Sequence, residues 1–232
     1  MIVLDWGWDS PLSGRVPRDC HAMGKRGMRL FITLEGTDGS GKSTQLDLLR
    51  ERLVAEGFDV VLTREPGGTP VAEAIRAVVL SKEYGEVDPL TEALLYAAAR
   101  AQHVREVIRP ALNAGKVVLC DRFFDSSIAY QAYGRELGVE VIGRVNADAM
   151  DGLSPDRTYL LMLDGETARA RQTGRKGDRI EGAGGAFFER VGEGFRFVAR
   201  QERVCAVDAS QTPERVADAI WADLSPRLLH KN

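Results

Sequence analysis

The sequence predicts an α/β fold, a five-stranded parallel sheet with helices on both faces. Three observations carry that expectation. Short apolar runs alternate with stretches of helical period along most of the chain. The runs are solid rather than alternating, as strands covered on both sides are. Between the first run and the first helical stripe stands a glycine-rich loop, Gly36-Thr37-Asp38-Gly39-Ser40-Gly41-Lys42-Ser43.

Taken in order, Leu30-Phe31-Ile32-Thr33-Leu34 is the first strand, and Leu46, Leu49 and Leu53 mark the core face of the helix after the loop. Glu56-Gly57 stops that helix, and Asp59-Val60-Val61-Leu62-Thr63 forms a second strand. Pro66, Gly67 and Gly68 end it. Val71, Ile75, Val78 and Val79 line one face of a short helix. A long helix runs from about Leu90 to Leu112, with Leu90, Leu94, Ala97, Ala101, Val104, Ile108 and Ala111 inward, and Asn113-Ala114-Gly115 closes it. Lys116–Cys120 is the third strand. Helical pieces follow around Ser126–Tyr133 and Val139–Met150. Tyr159–Leu163 is the fourth strand, followed by a short helix, a basic segment from Arg169 to Arg179, and a helix around Phe187–Arg200. Val204–Val207 is the fifth strand. The last helix starts at Thr212-Pro213-Glu214 and buries Val216, Ile220 and Leu224.

The totals describe an ordinary globule. Of 232 residues, 44% are hydrophobic and 28% charged, enough for one α/β domain. A net charge of −3 argues against nucleic acid as the main partner. The three cysteines, Cys20, Cys120 and Cys205, match no zinc spacing and fit a reducing cytoplasm. No apolar run approaches membrane-spanning length. Residues 1–27, with Trp6, Trp8 and several Gly and Pro, show no period; they read as a mobile extension or as translation begun upstream of a true start at Met28. The domain is then 28–232.

The glycine loop carries the first chemical inference. Its backbone can curl so that successive N–H groups face a polyphosphate, and the helix behind it adds its positive end. Lys42 then reaches the terminal phosphates and the Ser43 hydroxyl sits on Mg²⁺. Asp121, ending an apolar strand, is a second Mg²⁺ ligand. Arg122 follows it where a water-polarising Glu would suit hydrolysis, so Arg122 points to the grip of a second phosphate, although a surface ion pair would also explain an arginine there. No Asn-Lys-x-Asp guanine signature occurs. Glu35, Arg64-Glu65, Asp121-Arg122, Asp164 and Asp208 end the five strands, and ligands of open α/β sheets bind at that edge, so the loop, Glu65 and Arg122 should meet in one crevice.

Thr63-Arg64-Glu65-Pro66-Gly67-Gly68-Thr69, the stretch Asp121 to Gln131 and Asp178-Arg179-Ile180-Glu181, in this order after the loop, resemble bacterial thymidylate kinase from Met28 to the C-terminus. The resemblance implies the fold of P-loop nucleoside monophosphate kinases with a mobile basic lid, and transfer of the γ-phosphoryl group of ATP to thymidine monophosphate with Mg²⁺, by a cytoplasmic homodimer. It implies that Gly36 to Thr44 (Gly36, Thr37, Asp38, Gly39, Ser40, Gly41, Lys42, Ser43, Thr44) hold ATP. On the acceptor side, Asp38 takes the sugar 3′-hydroxyl and Arg122 the phosphate, with Arg76 in support and Glu65 ordering the site. Tyr96 stacks on thymine and Arg100, four residues on, donates to its O4; Ser127, Tyr130 and Gln131 complete the pocket. With Gly39 in the loop where other members have an arginine, the lid supplies the catalytic arginine, Arg175 first and Arg171 second, while Asp178 and Glu181 orient the lid arginines. Departures are Tyr96 for Phe, Phe123 for Tyr or His, Phe195 for Tyr, and a short lid beside Gly182-Ala183-Gly184-Gly185. Two other readings remain, a kinase for another nucleoside monophosphate and a non-catalytic ATP-binding module. A panel of monophosphates separates the first, and the absence of any product separates the second.

Overall fold

The five apolar runs form one parallel sheet in the order β2-β3-β1-β4-β5. Its strands are β1 (Leu30–Glu35), β2 (Val60–Arg64), β3 (Val117–Asp121), β4 (Arg157–Met162) and β5 (Val204–Asp208). The computed structural model describes residues 28–171 and 177–229. The expected extension 1–27, and with it Trp6, Trp8 and Cys20, lies outside the described residues, as do Arg175 and Lys176.

Alternation along β1 sorts the two faces. Leu30, Ile32 and Leu34 pack with α1 (Lys42–Ala55) and α9 (Pro213–Leu229), through Leu46, Leu49, Leu53, Val216, Ile220 and Leu224. Phe31 points the other way, with Val118 and Cys120, into Val104, Ile108 and Leu112. That second face is covered by α3 (Pro89–His103), a π-helical stretch Val104–Ile108 and α4 (Arg109–Asn113). Farther along it lie α5 (Phe124–Ser127), a second π-helical stretch Ile128–Gly134, α6 (Val139–Met150) and α8 (Gly185–Val198). The expected helices on both faces are present. The expected continuous helix to Leu112 instead widens just ahead of Pro110, a residue with no N–H to give.

One inward face was misassigned by the periodicity. Leu90 and Leu94 are 43% and 51% exposed, whereas Glu92, Ala93, Ala97, Arg100 and His103 are buried. Asp88 sets the helix phase by capping α3, its Oδ1 accepting from the N–H groups of Leu90 and Thr91 at 3.0 Å. In α2 (Pro70–Leu80) likewise, Val71 and Val78 are exposed while Ala72 and Val79 are buried.

Candidate active site

The glycine loop leaves the central strand β1 and runs into α1, so it lies at the carboxyl edge with the ends of β3 and β4 on either side. Gly36 is required where it stands. Its φ is +138°, and a Cβ there would lie 2.6 Å from the carbonyl oxygen of Leu161. Lys42, the first residue of α1, is buried and bends back over the loop. Its Nζ donates to the carbonyls of Gly36 at 3.2 Å and Thr37 at 3.1 Å, and lies 3.9 Å from Asp38 Oδ1. Burial, then the neighbouring Arg122, pulls its pKa down to about 8, against the opposing pull of Asp121, Asp38 and Glu35.

A pH dependence follows. A polyphosphate binds the protonated ammonium and raises its pKa, so affinity is lost as pH rises through the value of the free protein. We expect the affinity for an added nucleoside triphosphate to fall above about pH 8. Binding titrations from pH 6.5 to 9.5 check this, and an affinity that does not change across that range would count against Lys42 as the group.

Arg122 sits at the junction of loop and cleft. Its backbone is left-handed, with φ +68°, an uncommon conformation for a residue with a Cβ. Three contacts hold it there. Arg122 N–H donates to Leu34 O at 3.0 Å, Phe123 N–H to Glu35 Oε1 at 2.7 Å, and Ser126 Oγ to Glu35 Oε2 at 2.6 Å. The guanidinium then donates from Nη1 to Gly36 O at 2.8 Å and Ser126 Oγ at 3.1 Å, and from Nη2 to Asp38 Oδ1 at 2.8 Å. Burial alone would lower its pKa, but the surrounding acids, Asp38 and Asp121 among them, outweigh that and hold it above the ordinary arginine value. The arginine therefore faces the glycine loop, as expected.

The residues assigned to the acceptor side come together. Asp38, Glu65, Arg76, Tyr96, Arg100, Arg122, Ser127, Tyr130 and Gln131 all line one cleft, together with Pro66, Phe123 and Ser126. Arg76 Nη1 donates to Pro66 O at 2.9 Å. Arg100 is buried against the Phe123 ring and donates to Glu65 and Ser127. Burial, then Glu92, raises the Tyr96 hydroxyl above its ordinary range, so it stays neutral. Gln131 donates to Glu92 Oε1 at 2.8 Å.

Oxygen donors fit a magnesium ion. Asp121 Oδ1 is buried with no hydrogen-bond partner among the described residues, and the exposed Ser43 stands in the first turn of α1. No group of three or more His, Cys, Asp or Glu builds an all-protein metal cage among the described residues. A cation that keeps waters and phosphate oxygens needs none. Ser40 Oγ, also buried and unpartnered, is a further group of the glycine loop left for a ligand.

The basic segment divides. Arg171 closes α7 (Gly165–Arg171) and donates to Ala209 O at 3.1 Å, beside the loop after β5; Arg175 lies outside the described residues. Arg179 is no lid cation. It is tied to Val79 O at 2.9 Å and to the fully buried Glu92 at 2.8 Å, which also holds Arg135. Asp178 and Glu181, expected to orient lid arginines, make bonds that close their own turn: Asp178 Oδ1 accepts from the N–H groups of Ile180 and Glu181, and Glu181 Oε2 from that of Asp178. An acid two or three residues behind free N–H groups satisfies the backbone first.

Sequence reasoning missed Glu35 as a support, Ser126, Glu92, His103 and Asn146. Glu35 had one available signal, an acid closing a strand that is otherwise solidly apolar. Glu92 and His103 had none, because their side-chain partners lie far away in sequence, and Ser126 and Asn146 have distant partners, Glu35 and Arg100, besides their near ones.

A thymidylate kinase family profile matches residues 34–220. The chain is 51% identical over 197 residues to the thymidylate kinase of Exiguobacterium sibiricum, covering 84% of this chain and 93% of that one. It is 52% identical over 190 residues to that of Pelotomaculum thermopropionicum, covering 80% and 88%. Among solved structures, the thymidylate kinase of Ehrlichia chaffeensis superimposes with a TM-score of 0.71 at 32% identity, over 85% of this chain and 99% of that one.

Proposed function

This chain belongs to the thymidylate kinase family, and we propose that it transfers the γ-phosphoryl group of ATP to thymidine monophosphate across the junction that Arg122 bridges. One observation carries the reading: the cleft lined by the acceptor-side residues opens at Asp38 and Arg122 onto the glycine loop, so two phosphates meet head to head. Gly36 to Thr44 cradle the donor phosphates, with Lys42 on the transferred group. Arg122, steadied by Arg76, takes the acceptor phosphate. Asp38 takes the 3′-hydroxyl, Tyr96 stacks on the base, Arg100 donates to O4, and Ser127, Tyr130 and Gln131 close the pocket, with Tyr130 crowding a ribose 2′-hydroxyl.

No general base is needed. A phosphate monoester has its second pKa near 6, so the attacking oxygen is largely anionic at neutral pH. Catalysis is in-line positioning and charge neutralisation by Lys42, Arg122 and an arginine after α7, Arg175 in first place and Arg171 in second. Asp121 and Ser43 would hold Mg²⁺, which when bound would offset phosphate charge. The free thiols of Cys120 and Cys205 suit the cytoplasm in which we place the enzyme.

The deciding experiment is a panel of nucleoside monophosphates assayed with ATP. We expect thymidine monophosphate to lead, and Arg100→Ala to lower its kcat/KM by about a hundredfold with a smaller loss for other bases. Absence of product from thymidine monophosphate would end the proposal.

We further propose a homodimer through the outer faces of α2 and α3. Val71 and Val78, seven apart on α2, are 52% and 40% exposed, and Leu90 and Leu94, four apart on α3, the helix packed against α2, are exposed too. Sedimentation should give twice the 25.4 kDa of one chain, and L90E/L94E should give one. A monomeric parent chain refutes it.

A further inference from the structure

A buried polar chain runs behind the cleft. His103 is fully buried at the end of α3, its Nε2 2.6 Å from Thr63 Oγ1 on β2 and its Nδ1 3.1 Å from Glu65 Oε1. The other carboxylate oxygen, Glu65 Oε2, accepts from Arg100 Nε at 2.8 Å. Arg100 Nη1 is taken by Ser127 Oγ and by Asn146 Oδ1. Arg100 Nη2 has no such bond among the described residues, and the side chain lines the cleft. The loop after β2 clamps the imidazole: at Gly68, φ +83°, a Cβ would stand 2.7 Å from both the His103 ring and Thr63 Oγ1.

We propose that His103 is a positioning residue for base recognition. Through Glu65 it fixes the plane in which Arg100 presents its remaining N–H donors to the base. A carboxylate gripped by one arginine nitrogen can still turn about its own axis, and a donor on its second oxygen stops that turn. The carboxylate at Nδ1 selects the ring with its proton there, and the Thr63 hydroxyl donates to Nε2. Arg100 so held meets an acceptor oxygen at position 4 of a pyrimidine. An amino group at that position offers a donor to a donor and leaves both unpaired. The inference rests on reading this cleft as the site of thymidine monophosphate.

The test compares kcat/KM for thymidine and 5-methyldeoxycytidine monophosphates, which share the 5-methyl group and differ at position 4 and the adjoining N3, in wild type, H103N, H103Q, T63V and R100A. Asparagine places an amide where Nδ1 stands and keeps the donor to Glu65; glutamine places it where Nε2 stands and loses that donor. We expect the thymidine preference to fall on the order of tenfold in H103Q, about threefold in T63V and less than twofold in H103N, with KM for ATP unchanged. Equal preferences in H103N and H103Q overturn the proposal, as does an H103Q defect of the same size for both substrates. If H103Q does not fold, T63V decides, and an unchanged preference there is equally fatal. Should R100A itself keep the wild-type preference, the reading of the cleft fails; a relaxed R100A beside an unaltered H103Q removes His103 alone.

Discussion

Lys42→Met is expected to lower kcat by about a thousandfold while the protein melts no lower than wild type. Both halves follow from one burial. The ammonium is held against the Gly36 and Thr37 carbonyls, where we propose that the donor phosphates sit, so it would neutralise charge at the point of transfer without having to reorganise. That same burial costs stability. A pKa of about 8 against an ordinary 10.5 means that the protonated side chain opposes folding by about 3 kcal/mol at neutral pH. The sign is that of a lysine with a lowered folded pKa: the penalty is fully present below about pH 8 and is relieved as pH rises toward 10.5. Methionine keeps the aliphatic stem and removes the charge, so the opposition disappears with the activity. Single-turnover kinetics beside thermal denaturation check both. A variant that loses activity only in proportion to folded protein would make Lys42 structural.

The sheet was legible because its physics is local. A strand covered on both faces is apolar along most of its length, and β1 and β3, apart from Thr33 and the acids that end them, and most of β4 are, so their placement needed no partner. The loop was legible because only glycine tolerates the approach that Gly36 makes to the Leu161 carbonyl. Helix α3 was misassigned for the complementary reason. Its inward face floors a polar cleft, so Glu92, Arg100 and His103 are buried where a hydrophobic stripe was sought, and Leu90 and Leu94 are left outside. Periodicity measures apolarity and mistakes a site for a surface. Arg179 shows the same limit: read with its basic neighbours it looked like part of a lid, but its partner Glu92 is 87 residues away. The acceptor-side residues were assigned by resemblance rather than by any such rule, and the cleft gathers them all.

The second large effect concerns the arginine and the acid behind it. Arg122→Lys is expected to lower kcat/KM for thymidine monophosphate by about a hundredfold or more, little better than Arg122→Ala, because one ammonium cannot span Gly36 O, Ser126 Oγ and Asp38 together. Glu35 separates geometry from charge. Burial first, then Asp125, pushes its carboxyl up to about 8, so at neutral pH it is mostly an uncharged acid spanning Phe123 N–H and the Ser126 hydroxyl. Glu35→Gln keeps both contacts, its carbonyl accepting from Phe123 N–H and its amide donating to the Ser126 hydroxyl as the protonated carboxyl does, and should retain activity within about threefold. Glu35→Leu frees the backbone that holds Arg122 at φ +68° and should approach the Arg122→Lys defect. The stability profile adds an independent readout. A carboxyl with a raised folded pKa keeps a proton that the unfolded chain releases, so its contribution to stability falls as pH rises from about 4.5 through about 8. Glu35→Gln removes that slope. If Glu35→Gln is as inactive as Glu35→Leu, a negative charge at Glu35 is needed and the proposed division between geometry and charge is wrong.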